Sequence, residues 1–204
     1  IRIHAAGSDR TTQFINYITG SRRTQQMPSR AAPIRCNQVR RVLDRVDCIH
    51  LGPLHPADIE CAVFHLLRDQ PTLEHAADHM IPYASGRSRI KIWDAGCALG
   101  QETYTIAMIF AEKMNPFGFK NLRIEATDYD SDNHFGDVVT AAVYPGEELQ
   151  RTPKNLLDKY FEAADRPGHL RVKPVLRERV SFRYHDLLSF TPAGQDYCLI
   201  VCKN

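Results

Sequence analysis

A strand that runs into a glycine turn and leaves it as a helix constrains this chain more than any other feature. Ile90 to Trp93 is an apolar run of strand length, followed by Asp94-Ala-Gly-Cys-Ala-Leu-Gly100. The spacing then predicts a helix from about Glu102 to Lys113, ended by Pro116 and Gly118. The pattern recurs downstream. Leu122 to Thr127 reads as a second strand closed by Asp128, and Ser131 to Ala142 is helical in period with Ser131 as its cap. Pro153 to Phe161 reads as a short helix, Leu170 to Leu176 as an exposed strand, and Val180 to Tyr184 and Tyr197 to Val201 as two more strands. Ala62 to Leu67 and Thr72 to Ile81 read as helices, the second capped by Thr72. Strands alternating with helices imply an α/β fold built on a parallel sheet. Such a sheet binds ligands at the carboxyl ends of its strands, so the loops after Trp93, Thr127, Tyr184 and Val201 are where chemistry is expected.

Composition narrows the classes. With 204 residues, 43% hydrophobic and 25% charged, the chain can bury a core without staples. No apolar run approaches the roughly 18 residues that span a bilayer, so no membrane insertion is expected. Six cysteines are too sparse for a disulfide scaffold, and the N-terminus shows no signal-peptide pattern. A cytoplasmic protein with reduced thiols is the expectation. The net charge of +2 does not call for a nucleic-acid partner. Residues 1–62 differ in character, carrying nine Arg, no Lys and five acidic residues. There Thr19 to Arg35 has no period, and Asn37 to Val46 reads as a short amphipathic helix. This N-terminal segment is expected to be helical or irregular, with residues 63–204 forming the folded domain. Cys48, His50, His55 and Cys61 do not match a zinc pattern, and no metal site is expected.

The chemistry-bearing residues follow the strand ends. Gly96 and Gly100 permit positive φ and a close approach of backbone to ligand. Their Asp-x-Gly-x-x-x-Gly spacing is neither the dinucleotide fingerprint nor a P-loop. Asp128 lies 34 residues after Asp94, at the tip of the next strand. A carboxylate there either holds ribose hydroxyls or caps the helix that opens near Ser131. Asp186 and Leu187 follow the third strand. They either receive an adenine, through its amino group and its ring, or simply turn the chain.

Trp93 to Met108 (WDAGCALGQETYTIAM) resembles the first motif of the CheR-type chemotaxis receptor methyltransferases, Trp-Ser-Ala-Gly-Cys-Ser-Thr-Gly-Glu-Glu-Pro-Tyr-Ser. Ala126-Thr-Asp-Tyr-Asp130 resembles the family's Ala-Thr-Asp-Ile-Asp. Tyr144 to Leu149, Lys159-Tyr-Phe161, Val180 to Leu188 and Val201-Cys-Lys-Asn204 are similar to later family segments, in the family's order. Val63 to Asp69 is similar to its Thr-x-Phe-Phe-Arg-Asp. The resemblance implies a Rossmann-like class I methyltransferase sheet with flanking helices and a small β-subdomain near residues 162–178. It implies S-adenosylmethionine as cofactor and S-adenosylhomocysteine as product. It implies transfer to glutamate carboxylates of a protein substrate, expected to be the cytoplasmic part of chemoreceptors. Gly96, Cys97 and Gly100 would then meet the methionine end of the cofactor, and Glu102 its amino group. Asp128 would hold the ribose, and Asp186 and Leu187 would flank the adenine. Lys203 and Asn204 would lie near the reacting methyl, and Arg68 near the substrate carboxylate.

Several positions depart from the family pattern. Ala98 and Leu99 replace a hydroxyl pair, Gln101 replaces Glu, Thr103 replaces Pro, Asp186 replaces Asn and Lys203 replaces Arg. These departures motivate an alternative reading as a non-catalytic S-adenosylmethionine- or S-adenosylhomocysteine-binding sensor or interaction module. The chain ends at Asn204, at the tip of a central strand, and the outer edge of that strand is expected to be bare.

Overall fold

The computed structural model describes residues 2–4, 14–16 and 66–202. The expected helix at Asn37 to Val46, the Cys48 to Cys61 group, Lys203 and Asn204 lie outside the described residues. Two short strands come first, β1 (Arg2–His4) and β2 (Phe14–Asn16), where the sequence pattern signals none. Helix α1 (Gln70–Ala84) precedes β3 (Ile90–Ala95), α2 (Gln101–Lys113), the short α3 (Pro116–Lys120) and β4 (Leu122–Asp128). Then follow α4 (His134–Ala141), β5 (Val143–Pro145), a 3-10 turn (Gly146–Leu149) and α5 (Lys154–Tyr160). The chain continues with β6 (Phe161–Ala163), β7 (His169–Val172), α6 (Pro174–Arg177), β8 (Val180–Tyr184), a second 3-10 turn (Leu187–Ser189) and β9 (Leu199–Cys202).

Six strands form one sheet in the order β2-β1-β9-β3-β4-β8. The four strands β9, β3, β4 and β8 run parallel, as the alternating pattern implies. The outer edge of β9 is not bare, because β1 pairs along it antiparallel, Ile3 opposite Val201. Backbone donors and acceptors of a central strand need partners on both sides, and a remote segment of chain supplies them here. A second, three-stranded sheet in the order β5-β7-β6 takes its strands from residues 143–145, 161–163 and 169–172. Two of those strands have only three residues each, too few for a period of two to show in sequence.

Side-chain alternation divides the large sheet. Ile90, Ile92, Leu122, Ile124, Leu199 and Val201 fall on one face, all at most 1% exposed, in one core with Met80, Ile106 and Phe110 of α1 and α2. Trp93 and Ala95 point the opposite way and pack on Ala193 and Tyr197 of the loop before β9. That loop is tied down by polar contacts. Tyr197 and Arg183 both donate to the Glu125 carboxylate, and Lys91 donates to the Gln195 carbonyl at 3.0 Å. Helix α5, which leads into the small sheet, is joined to α2 by Glu112, which accepts from Lys159 at 2.7 Å and from the Tyr160 hydroxyl at 2.5 Å.

Helix starts differ from the expected caps for local reasons. The cap of α1 is Asp69, in the left-handed region, and Pro71 occupies the first turn. Proline there has no amide to leave unsatisfied, so the helix opens before Thr72. Helix α4 starts at His134 rather than Ser131, because the Asp130 carboxylate accepts the Gly136 amide at 2.8 Å and folds the intervening residues into a turn. Leu170 to Leu176 is not one strand. Pro174 opens α6, which buries Leu176.

Candidate functional site

The carboxyl ends of β3, β4 and β8 meet at one place, and backbone hydrogen bonds lock them together. The Gly96 and Cys97 amides both donate to the Thr127 carbonyl, at 2.8 and 3.1 Å. The Ala98 amide donates to Asp128 Oδ2 at 2.7 Å, and the Tyr129 amide to Asp128 Oδ1 at 2.7 Å. On the far side, the His185 amide donates to the Asp128 carbonyl at 3.0 Å. Seven of the residues expected at the site therefore fall on these adjoining strand ends and loops. Gly96, Cys97 and Gly100 form the β3–α2 loop, Glu102 the first turn of α2, and Asp128 the tip of β4. Asp186 and Leu187 begin the loop after β8.

The loop has little freedom. Gly96 and Gly100 take φ of 89° and 86°, and Ala98 is also left-handed at 46°. A side chain at Gly100 would meet Val139 Cγ2 at 2.8 Å and the Tyr144 hydroxyl at 3.2 Å. The missing Cβ thus lets α4 and β5 pack directly on the loop. Tyr144 completes the clasp by donating its hydroxyl to the Leu99 carbonyl at 2.9 Å. It lies 45 residues downstream, and its own local pattern does not predict this contact with the loop.

Amide accounting shows what the loop can offer a ligand. The amides of Gly96, Cys97, Ala98 and Gly100 are spent on Thr127, Asp128 and the Cys97 carbonyl. The Leu99 amide has no acceptor among the described residues. Tyr104 is the first amide of α2 to reach a helical carbonyl, that of Gly100 at 3.0 Å. The preceding first-turn amides point out of the helix end and suit an anionic group. Glu102 stands half-buried in the same turn, so an amino group and a carboxylate find complementary partners side by side. A methionine-like end fits this donor and acceptor set.

The departures from the family pattern also acquire contacts. Thr103 donates its hydroxyl to the fully buried Asp94 at 2.5 Å. Gln101 donates to Glu148 at 3.2 Å. Asp186 accepts the Leu188 amide at 2.8 Å and caps the turn it opens. Leu187 is half-buried against the cluster of Trp93, Ala95, Ala193 and Tyr197, while Leu188 is 66% exposed. Arg68 lies in the turn before α1, exposed and 3.7 Å from Asp69. The neighbouring Leu67 amide donates to Thr105 on α2 at 2.9 Å, which brings that turn to the same helix end.

Burial sets the acid–base character. The Asp128 carboxyl is pushed up from the ordinary value by burial, partly offset by the Ala98 and Tyr129 amides. The Cys97 thiol is pushed far up by burial and then by the charges of Asp94 and Asp128. It is a packing residue and not a nucleophile. Iodoacetamide at pH 8 is expected to leave Cys97 unmodified until the chain is unfolded, as peptide mass mapping would show. Rapid labelling of the native chain at Cys97 would refute this.

The family described as CheR methyltransferase, SAM binding domain, matches residues 63–204. The chain belongs to the CheR methyltransferase family. Relatives include chemotaxis protein methyltransferase 1 of Pseudomonas aeruginosa, 34% identical over 128 residues, covering 59% of this chain and 44% of that protein. The chemotaxis protein methyltransferase of Borreliella burgdorferi is 35% identical over 126 residues, covering 59% of this chain and 42% of its own length. A 104.1 kDa protein of Rhodobacter capsulatus, described only as uncharacterized, is 30% identical over 132 residues, or 64% of this chain and 13% of that protein. The chain spans less than half the length of each of these relatives. The cofactor of this CheR domain is S-adenosylmethionine, and the β3–α2 loop with Asp128 is the part of the fold suited to it. Among the described residues no helix is long and apolar enough to cross a membrane.

Proposed function

We propose that this chain is the cofactor-binding and catalytic part of a methyltransferase that esterifies glutamate side chains of a protein, with the cytoplasmic part of chemoreceptors as substrate. The observation that carries the proposal is the Asp128 carboxylate at the β4 tip. It is held by two amides yet keeps lone pairs for ribose hydroxyls. Glu102 takes the amino group, and the Leu99 and first-turn amides of α2 take the carboxylate of the methionine end. Gly96, Cys97 and Gly100 give the loop the shape that exposes those amides. Asp186 accepts from the adenine amino group. Bound S-adenosylmethionine supplies an electrophilic methyl group.

The acceptor needs no general base. A glutamate with a pKa near ~4.3 is already ionised at neutral pH. What the protein contributes is alignment of that carboxylate with the methyl group. Arg68 is the cation for this, beside the helix end. Lys203 and Asn204 flank the reacting methyl in the same reading. This activity belongs in the cytoplasm, where the signalling ends of receptors lie.

Arg68→Ala is expected to raise the KM for the protein acceptor roughly 10-fold or more, since hydrogen bonds to charged groups contribute about 1.5–3 kcal/mol. The affinity for S-adenosylhomocysteine should stay unchanged. A calorimetric titration beside a steady-state assay separates the two, and an unchanged acceptor KM would remove Arg68 from the site.

The deciding experiment transfers labelled methyl groups from S-adenosylmethionine to a purified chemoreceptor cytoplasmic fragment. Esters on glutamate release the label as methanol in mild alkali. Label that is stable to alkali would refute a glutamate ester. Cofactor binding with no transfer to any receptor fragment would favour a non-catalytic sensor, the reading that Gln101 and Thr103 motivate.

A further inference from the structure

We propose that the end of the domain opposite the cofactor loop is a peripheral docking surface for an anionic phospholipid membrane. Strands β3, β4 and β8 are adjacent and parallel, so the stretches that lead into them meet at that end. Residues 85–89, 113–123 and 178–179 hold six Arg or Lys and one acidic residue. That acid, Glu178, lies 3.5 Å from Arg179, and Asp78 of α1 pairs with Lys113 at 2.7 Å. Arg87, Arg89, Lys120 and Arg123 have no carboxylate partner among the described residues. Asp196, exposed before β9, lies across β3 from β4 and β8. Arg123 and Arg179 both donate to one acceptor, the Lys120 carbonyl, at 2.9 and 2.8 Å. That carbonyl ends α3, where the partial negative charge of a helix end holds the two guanidiniums together. Two guanidiniums gathered at one oxygen, with the Lys120 ammonium on the same residue, keep further N–H donors for a phosphate.

The same end exposes aromatic side chains. Phe117 of α3 is 79% exposed, and Tyr83, near the end of α1, is 55% exposed. Helix α3 is fixed around Phe117, because Asn115 accepts the Gly118 amide at 2.8 Å and Phe119 is buried in the main core. A held turn therefore presents Phe117 outward, between Lys113 and Lys120 in the chain. A rigid apolar tip among Arg and Lys suits an interface with a negative surface and an apolar interior. The cations are spread over the ends of three adjacent strands spaced about 4.8 Å apart, a breadth that fits a charged plane better than a single peptide chain. Strand β4 has seven residues, so this end stands about 20 Å from the Asp128 tip. The cofactor loop stays open to a protein acceptor while the opposite end is docked.

Co-sedimentation of the whole chain with vesicles tests the surface, using equal parts of phosphatidylglycerol and phosphatidylcholine against phosphatidylcholine alone. Binding is expected to the anionic vesicles only, and should be lost in about 1 M salt, where the screening length falls to about 3 Å. Each cation removed near an anionic surface weakens binding about fivefold, so the double variant Arg89→Gln, Lys120→Gln should bind roughly 25-fold more weakly. Phe117→Ala should bind roughly 10-fold more weakly or worse. These three side chains are exposed, so melting temperature and affinity for S-adenosylhomocysteine should stay at wild-type values. The single tryptophan of the chain, Trp93, is buried, so Phe117→Trp adds a reporter at the tip. Its emission should shift to the blue with anionic vesicles alone. No binding to anionic vesicles, equal binding to both kinds, or unshifted emission in Phe117→Trp would overturn the proposal. So would vesicle binding that survives in both the double variant and Phe117→Ala, which would move the contact to another surface such as the arginine-rich residues 1–62. Binding of a polyglutamate peptide or a DNA duplex, with none to vesicles, would assign the cations to an acidic polymer and overturn the membrane as partner.

Discussion

Asp128→Ala is expected to raise the dissociation constant for S-adenosylmethionine by more than about 100-fold. Two hydrogen bonds from ribose hydroxyls to a carboxylate contribute about 1.5–3 kcal/mol each. The substitution also deprives the Ala98 and Tyr129 amides of their acceptor, so the β3–α2 loop loses its tie to β4. Titration calorimetry reads this directly, and near-normal affinity would end the ribose assignment. The variant chain should still unfold cooperatively, because Asp128 lies at the tip of β4 outside the main apolar core.

The raised pKa of Asp128 adds a pH signature. In the proposed ribose contact its charged form is the acceptor, so affinity should fall as pH drops through its pKa. Because burial holds that value above 3.8, the fall begins at higher pH than for a solvated aspartate. The ligand-free chain should show the opposite sign. A folded-state pKa above the unfolded one means that the native state takes up the proton more readily. Asp128 therefore stabilises the ligand-free fold as pH falls through its raised value and opposes it above. Asp128→Asn, which does not titrate, should remove both dependences. Their persistence in Asp128→Asn would assign them to another group.

Gly100→Ala is expected to destabilise the fold by about 2–6 kcal/mol and to abolish cofactor binding. A non-glycine residue in the left-handed region costs about 1–3 kcal/mol, and overpacking typically adds about 1–3. The clash is with Val139 Cγ2 at 2.8 Å and the Tyr144 hydroxyl at 3.2 Å, both in packed surroundings that cannot yield cheaply. Urea unfolding measures the loss, and a change below about 1 kcal/mol would show that α4 and β5 can step back from the loop. Tyr144→Phe is the companion variant. It removes only the hydrogen bond to Leu99, so it should weaken cofactor binding with a stability loss of about 1 kcal/mol.

How the site could be read in advance follows from the range of its contacts. The glycine turn, the α2 start and Asp128 at a strand tip are local features. A chain period of two or 3.6 and a handful of turn residues announce them. The caps of α1 and α4 differ from those the sequence predicts because Pro71 and Asp130 impose turns that outrank a nearby hydroxyl cap. The three strands of the small sheet and the two at the N-terminus are too short for periodicity to reveal.

The residues alone determined the parallel α/β class, the order of β3, α2, β4 and β8, and the glycine turn between β3 and α2, because each is encoded in neighbouring positions. Tertiary structure decided which partners close the site. Tyr144 reaches back to Leu99, β1 covers the edge of β9, Leu187 turns into the Trp93 cluster, and Tyr129 meets Tyr184. The first three partners lie tens to hundreds of positions away along the chain. Even Tyr129 and Tyr184, 55 positions apart, become neighbours only when β4 and β8 pair in register. No local period or spacing carries contacts of that range.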